Sequence, residues 1–248
     1  MPLPRSWTAE AFNPVPESEN RIHSDEIARA YGFRGALVPG VVVSAYLIHP
    51  AAEVWGRAWL EVGRASVVVH SPVYDGENFQ LEIETASENA YEAVLVDERG
   101  VRCATAQVSL PDEISDPPSR RGDALLARDA ERRWSEGAEI TSYLRRSSEM
   151  APVFRDEGLA NPGFILGLTN WVLGRNVRMS PWLHLQTDSQ HHRPVAPDTE
   201  LVVEAAISDL FEKKGHEFVD VEVGVYQRSD DVAVASVRLR AIYLLRQP

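Results

Sequence analysis

The sequence predicts an α+β fold made of two similar halves, each with one long apolar helix followed by an antiparallel run of strands. Three matches at a nearly constant spacing indicate the duplication. Pro39-Gly40 recurs 123 residues later as Pro162-Gly163, Trp59-Leu60 recurs at the same spacing as Trp182-Leu183, and residues 70–84 resemble 192–206 at a spacing of 122. Each match alone is weak, but their shared order indicates that one unit is repeated.

The first half begins with a short helix and continues with a long one. In residues 24–33, Ser24 suits an N-cap, acids follow in the first turn and Gly32 suits the end. Residues 39–56 are apolar nearly all round and predict a buried helix that Pro50 ends or kinks, although the valines would also suit a strand. Four strands are then predicted, over residues 64–73, 78–87, 90–98 and 103–110.

The second half repeats this order. A helix is predicted over 163–174, followed by strands over 182–192, 200–211, 216–226 and 233–245. Between the halves, 111–123 is rich in proline and charge and is interpreted as a linker, and 124–137 resembles a surface helix. The predicted organisation is therefore an N-terminal half over 1–115, a linker and surface helix over 116–138, and a C-terminal half over 139–248.

Composition narrows the function classes. The net charge of −12 argues against a nucleic-acid partner, because binding phosphate needs basic patches. The single cysteine, Cys103, excludes an internal disulfide and lies in a strand-like run, so we expect a buried and inert thiol. No membrane span or signal peptide is recognised, which predicts a cytoplasmic protein without a membrane partner. The glycine patterns of P-loop and Rossmann proteins and the nucleophile elbow are absent, and no cofactor is predicted.

The layout resembles a double hotdog, and residues 18–40 resemble the hydratase motif of MaoC-like proteins. That family includes (R)-specific enoyl-CoA hydratases and 3-hydroxyacyl-thioester dehydratases. The matching positions are Asn20, Ile22, His23, Asp25, Ala28, Gly32, Phe33 and Gly40. The resemblance implies a hydro-lyase whose substrate is an acyl thioester of CoA or of a carrier protein.

Three positions depart from the family motif. Ser18 stands where the family has its catalytic aspartate, Arg21 replaces a proline, and Pro39 replaces a histidine. Ser18 cannot act as the acid, because its hydroxyl does not ionise at neutral pH. Ser18 is therefore counted, with Val41, as a substrate-binding candidate, and the neighbouring Glu19 is the candidate for the missing carboxylate.

Hydration of a 2-enoyl thioester needs a base for water and donors for the negative charge that develops on the thioester oxygen. His23 suits the base and acid, since a histidine titrates near working pH. The unpaired amides of Gly40 and Val41 at the start of the long helix suit the donors. Asn20 would orient the water or the imidazole. A histidine before a helix is also commonly a capping or solvent-exposed residue, and here the matched spacing favours a site.

The second half has no equivalent histidine, since Arg146 lies seventeen residues before Gly163. This predicts one site per chain, with the second half supplying walls. Trp182 and Arg193 are the predicted substrate contacts there, the arginine toward a pantetheine or phosphate. His184 and His192 would lie about 26 Å apart along a strand, too far to share an ion, so no metal site is predicted.

Two alternatives stay open at the level of sequence. In a hotdog thioesterase, Glu19 or His23 would activate water against the carbonyl carbon. The second alternative is a non-catalytic acyl-binding or partner subunit, and the loss of the family aspartate supports it. Because the sheet edges of hotdog proteins commonly pair, we also expect a homodimer.

Overall fold

The computed structural model describes residues 2–112, 116–120, 131–133, 142–176 and 181–246. Within these ranges, ten strands form one antiparallel sheet in the order β1-β3-β4-β5-β2-β7-β10-β9-β8-β6. The strands are Ser6–Glu10 (β1), Arg64–Val69 (β2), Asn78–Ala86 (β3), Ala90–Asp97 (β4), Arg102–Ser109 (β5), Glu131–Arg133 (β6), Leu183–His191 (β7), Glu200–Lys213 (β8), His216–Gln227 (β9) and Val232–Leu244 (β10). The α-helices are Asp25–Ala30 (α1), Gly40–Val62 (α2), Pro152–Glu157 (α3) and Pro162–Asn176 (α4).

The two long helices pack against each other and against the sheet. Helix α2 contacts β2, β4, β5 and β7, whereas α4 contacts β8, β9 and β10. Both helices are apolar on nearly all sides, so each must be covered by strands and by the other helix. The core lies between them and the sheet and includes Tyr46, Leu47, Leu166 and Leu173.

All eight predicted strands are present, and their repeat is visible in the backbone. Strands β2 and β7 pair with each other, so the two halves share one sheet. Ser66 lies opposite Asp188, the residue 122 positions later, and its hydroxyl donates to that carboxylate at 2.6 Å. A local two-fold axis therefore passes through this pair.

The two His-x-Pro-Val segments are also equivalent. The amides of His70 and Ser71 both donate to the carbonyl of Cys103, and those of His192 and Arg193 both donate to the carbonyl of Val234. Because the same hydrogen bonds follow β2 and β7, the 122-residue repeat describes equivalent structure in these segments.

The Trp-Leu match is not structurally equivalent. Trp59-Leu60 lies in the last turns of α2, whereas Trp182-Leu183 leads into β7. Helix α2 is longer than predicted, and Pro50 does not end it. The helical backbone is instead interrupted at Gly56, whose φ of 54° is in the left-handed region that glycine adopts readily. Across the described ranges, no helix is both long enough and apolar enough to cross a bilayer.

The two edges of the sheet differ from the sequence prediction, whereas the cysteine agrees with it. Strand β1 was not predicted; it pairs with β3 at one edge. The predicted surface helix over 124–137 is wrong at residues 131–133, which form β6, and the rest of it lies outside the described residues. The edge of β8 offers unpaired backbone groups, and β6 pairs with its first three residues, 200–202. Cys103 is buried as predicted, and burial raises the pKa of its thiol to about 11.

Candidate active site

A cavity of about 220 Å³ lies between the start of α2, the segment that precedes it and the start of β7. Its polar walls are Asn20, His23, His70, Ser71, Asn170 and His184. The remaining lining is mostly apolar and includes Phe33, Val43, Val73 and Trp182. A larger hollow of about 1310 Å³ lies on the outer face of the sheet. That hollow is open, and the described residues that line it include no histidine, so the smaller cavity is the better candidate for chemistry that excludes water.

His23 is buried in this cavity rather than exposed to solvent. It ends a 3-10 turn, Arg21–His23, and 8% of its surface is exposed. Its Nδ1 lies 2.8 Å from the carbonyl oxygen of Leu37, which can only accept, so Nδ1 carries the proton and Nε2 the lone pair. Burial lowers the pKa of His23, against the opposing effect of the Leu37 bond. The imidazole is therefore neutral at pH 7, with a basic nitrogen available.

Asn20 links this imidazole to the second half of the chain. Its Oδ1 accepts from the amide of Trp182 at 3.2 Å, and its Nδ2 donates to the carbonyl of the same residue at 3.0 Å. This two-point contact fixes the orientation of the side-chain amide. The Nδ2 group also lies 3.3 Å from Nε2 of His23, so it can donate its second proton to the lone pair.

The start of α2 borders the same cavity. The amides of Val42 and Val43 donate to the carbonyl of Pro39, at 2.9 and 3.0 Å. Among the described residues, no acceptor is found for the amides of Gly40 and Val41, as expected at the first turn of a helix. Gly40 lines the cavity, whereas the side chain of Val41 is buried and does not.

Gly40 is also a point of close approach between the two halves. A Cβ atom at this position would lie 2.8 Å from the carbonyl oxygen of His184 and 2.9 Å from its Cβ. Both atoms are fixed by strand β7, so only glycine fits here without a shift of the helix.

Sequence reasoning missed four polar residues of the cavity, His70, Ser71, Asn170 and His184, and the last two contact each other. Nδ1 of His184 lies 2.9 Å from Oδ1 of Asn170, and its Nε2 lies 2.6 Å from the hydroxyl of Thr187. Burial lowers the pKa of His184 to about 4. The available signal was Asn170 itself, a polar residue in the middle of a helix that is apolar nearly all round.

The structure brings together only part of the predicted site. Asn20, His23, Gly40 and Trp182 line one cavity. Glu19 is exposed and outside it, and no carboxylate is found among the described lining residues. Ser18 and Arg193 also lie outside this cavity.

Ser18 donates from its hydroxyl to the backbone carbonyl of Asn20 at 3.1 Å and does not reach the cavity. Arg193 is paired with Asp230 at 2.7 Å and donates to Gln227 at 3.1 Å. The prediction that Arg193 binds substrate has no support at this cavity, because the turn before β10 provides its counter-ion.

The equivalent helix start in the second half is occupied differently. Tyr143 lies twenty residues before Gly163, as Asn20 lies twenty before Gly40. Its ring is fully buried beside Gly163, and its hydroxyl lies 2.8 Å from Nδ1 of His49. A bulky aromatic side chain thus lies beside this helix start, at the sequence spacing that Asn20 has in the first half.

Three histidines, called here the low-pKa histidines, are His49, His184 and His191. Burial lowers the pKa of each to about 4. All three are therefore neutral at pH 7.

No protein-family model matches the chain, and no curated protein sequence matches it. Several solved structures do. A Mycobacterium tuberculosis protein described as a double hotdog is 15% identical, with 97% of this chain and 96% of that one covered at a TM-score of 0.66. A MaoC domain protein dehydratase from Chloroflexus aurantiacus is 10% identical, with 98% and 96% covered and a TM-score of 0.61. A thioesterase II from Thermobifida fusca is 11% identical, with 98% and 93% covered and a TM-score of 0.54. The predicted double hotdog fold is confirmed.

Proposed function

We propose that the protein is a hydro-lyase that adds water to, or removes it from, an acyl thioester, with His23 as the base and acid. One observation carries the proposal: the neutral imidazole of His23 and Gly40, whose amide is unpaired at the start of α2, border the same small cavity. The first supplies a proton acceptor and the second supplies donors for an oxyanion.

In the hydration direction, Nε2 of His23 takes a proton from water as the water oxygen bonds to C3 of a 2-enoyl thioester. The electron pair of the C2–C3 double bond moves toward the carbonyl, and the negative charge collects on the thioester oxygen. The amides of Gly40 and Val41 donate to that oxygen. The imidazolium then returns its proton to C2, which regenerates the neutral base.

A single histidine is sufficient for this cycle because it is restored at each turnover. Leu37 holds the Nδ1 proton in place, so the proton that moves is the one on Nε2. Asn20 holds the ring and the second half of the chain in a fixed relation through Trp182. Glu19 is exposed and lies outside the cavity, so the proposed cycle gives it no catalytic role.

A hotdog acyl thioesterase is the second candidate. The fold similarity to a thioesterase II favours it, and the same base and donors would serve attack of water on the carbonyl carbon. In that reaction His23 takes a proton from water, the tetrahedral oxyanion collapses, and the thiolate leaves and takes the proton. The two reactions differ in the carbon attacked, which is C3 in hydration and the carbonyl carbon in hydrolysis.

Crotonyl-CoA distinguishes these candidates. A hydratase removes the absorbance of the conjugated thioester without releasing thiol, whereas a thioesterase releases thiol. His23→Gln should lower kcat by about 10²- to 10⁴-fold, because it removes the proton acceptor. His216→Gln, in the β8–β9 hairpin region, is the matched control and should retain wild-type kcat. If wild-type protein neither removes the absorbance nor releases thiol, both enzymatic proposals are contradicted and a non-catalytic acyl-binding subunit is favoured.

Two expectations about the assembled protein remain predictions. The edge strands in the described sheet are β1 and β6, and pairing of an edge with a second copy would produce the predicted homodimer. Light scattering coupled to size-exclusion chromatography gives the mass in solution. Cytoplasmic location is likewise a prediction from composition.

A further inference from the structure

Asn170 is a polar residue of α4 that borders the cavity from the second half of the chain. Its neighbour Thr169 is also polar, but the Thr169 hydroxyl is buried and donates within its own helix to the carbonyl of Leu166 at 2.6 Å. Asn170 instead has its Oδ1 2.9 Å from Nδ1 of His184. Its side chain is thus held by a contact at one end only.

The protonation of His184 determines what that contact leaves free. The imidazole is neutral because burial lowers its pKa to about 4, so it has a single N–H. With the proton on Nδ1, the ring donates to Oδ1 of Asn170 and accepts from the hydroxyl of Thr187, which lies 2.6 Å from Nε2. Both ring nitrogens are then satisfied, and Nδ2 of Asn170 keeps two protons with no acceptor among the described residues.

Asn170 and Gly40, at the start of α2, border the same cavity. A Cβ on Gly40 would lie 2.9 Å from Cβ of His184 and 3.2 Å from its Cγ, so this imidazole adjoins Gly40 and holds Asn170. The cavity of about 220 Å³ is small, and Gly40, His184 and Asn170 all line it. In so small a space, an acyl thioester bound beside Gly40 contacts the opposite wall as well.

We propose that Nδ2 of Asn170 donates a hydrogen bond to the thioester oxygen of the bound substrate, as a third donor beside the amides of Gly40 and Val41. This inference rests on the proposed acyl-thioester function and adds to it a catalytic residue from the second half. The active site is then completed by both halves of the chain, and His184 is the positioning residue that orients Asn170. The donor serves hydration and hydrolysis alike, because both place negative charge on the same oxygen.

The test compares Asn170→Leu and Asn170→Asp with Thr169→Val. The leucine variant removes the donor at similar volume. The aspartate variant keeps the shape and the acceptor for His184 but replaces the donor with a negative charge. Both should lower kcat about 100-fold or more on crotonyl-CoA, with KM changed less than about threefold, since loss of one oxyanion donor costs about that much. Thr169→Val, in the same turn of α4, should keep the wild-type kcat.

The outcomes separate this inference from the proposed function. If wild-type protein turns over crotonyl-CoA by either reaction and both Asn170 variants keep its kcat, the assignment of Asn170 is overturned while the enzymatic function stands. If wild-type protein has neither activity, the proposed function fails, and the donor is tested by binding of acetoacetyl-CoA, whose enolate carries charge on its oxygens. A tenfold weaker Kd in Asn170→Asp supports the donor; equal affinity, or no binding to wild-type protein, overturns it.

Discussion

Gly40→Ala tests the close approach on which the candidate site depends. The added Cβ would lie 2.8 Å from the carbonyl oxygen of His184, where ordinary contact begins near 3.4 Å. Helix α2 and strand β7 must therefore separate locally by about 0.6 Å. Because the obstructing atoms belong to the backbone and Cβ of a buried strand residue, they cannot move aside as a flexible side chain would.

We expect this substitution to lower the free energy of unfolding by about 1–3 kcal/mol, the usual cost of overpacking. For a chain of this size, 2 kcal/mol corresponds to a fall in Tm of about 4–8 °C. The start of α2 also moves relative to His23, so kcat on crotonyl-CoA should fall at least about tenfold, since small misplacements of reacting groups are costly.

The assay is urea unfolding followed by circular dichroism, with kcat measured at a temperature where each variant is folded. Gly167→Ala, in α4, is the matched control, because a Cβ there meets no atom within 4 Å. It should raise stability by about 0.5–1 kcal/mol through helix propensity. A Gly40→Ala protein with the wild-type unfolding midpoint and wild-type kcat would refute the reasoning.

Three further predictions concern hydrogen bonds and protonation. Asn20→Leu leaves the backbone amide and carbonyl of Trp182 without their partner. It should lower the free energy of unfolding by about 1–3 kcal/mol and remove most of the activity. An unchanged urea midpoint would contradict this. Tyr143→Phe removes the hydroxyl beside His49 and should lower the free energy of unfolding by a comparable amount. Its kcat should stay at the wild-type value, because Tyr143 does not line the cavity. A lower kcat in the fully folded variant would contradict this. The low-pKa histidines have folded pKa values near 4, below the ordinary 6.5, so their contribution to stability is complete above pH 6.5 and is lost as the pH falls toward 4. Each lowers the free energy of unfolding by up to about 2 kcal/mol between pH 6.5 and pH 5, which urea titrations at several pH values measure, and a midpoint that stays constant over this range would rule the effect out.

Local sequence patterns predicted most of the secondary structure. Alternation and turn residues identified β2 to β5 and β7 to β10, and the apolar segments after Pro-Gly identified α2 and α4. The misses have physical reasons. Strand β1 alternates exposed polar with half-buried apolar positions over only five residues, a weak strand signal, and its pairing with β3 establishes it. Residues 131–133 are likewise a strand because β8 presents them with a free edge.

The candidate site was also predicted only in part from the sequence. The sequence by itself determined the elements that carry chemistry: a histidine and an asparagine in a motif, a glycine at the start of an apolar helix, and a repeat that brings a second helix. Only the tertiary structure decided which of them meet. Asn20 contacts Trp182 across 162 residues of chain, and Asn170 contacts His184, which adjoins Gly40 of the other half. Glu19 is close to His23 in sequence yet remains in solvent. Spacing along a chain fixes the neighbours within one helix or strand, but the packing of the two halves across a shared sheet fixes which side chains enclose a cavity.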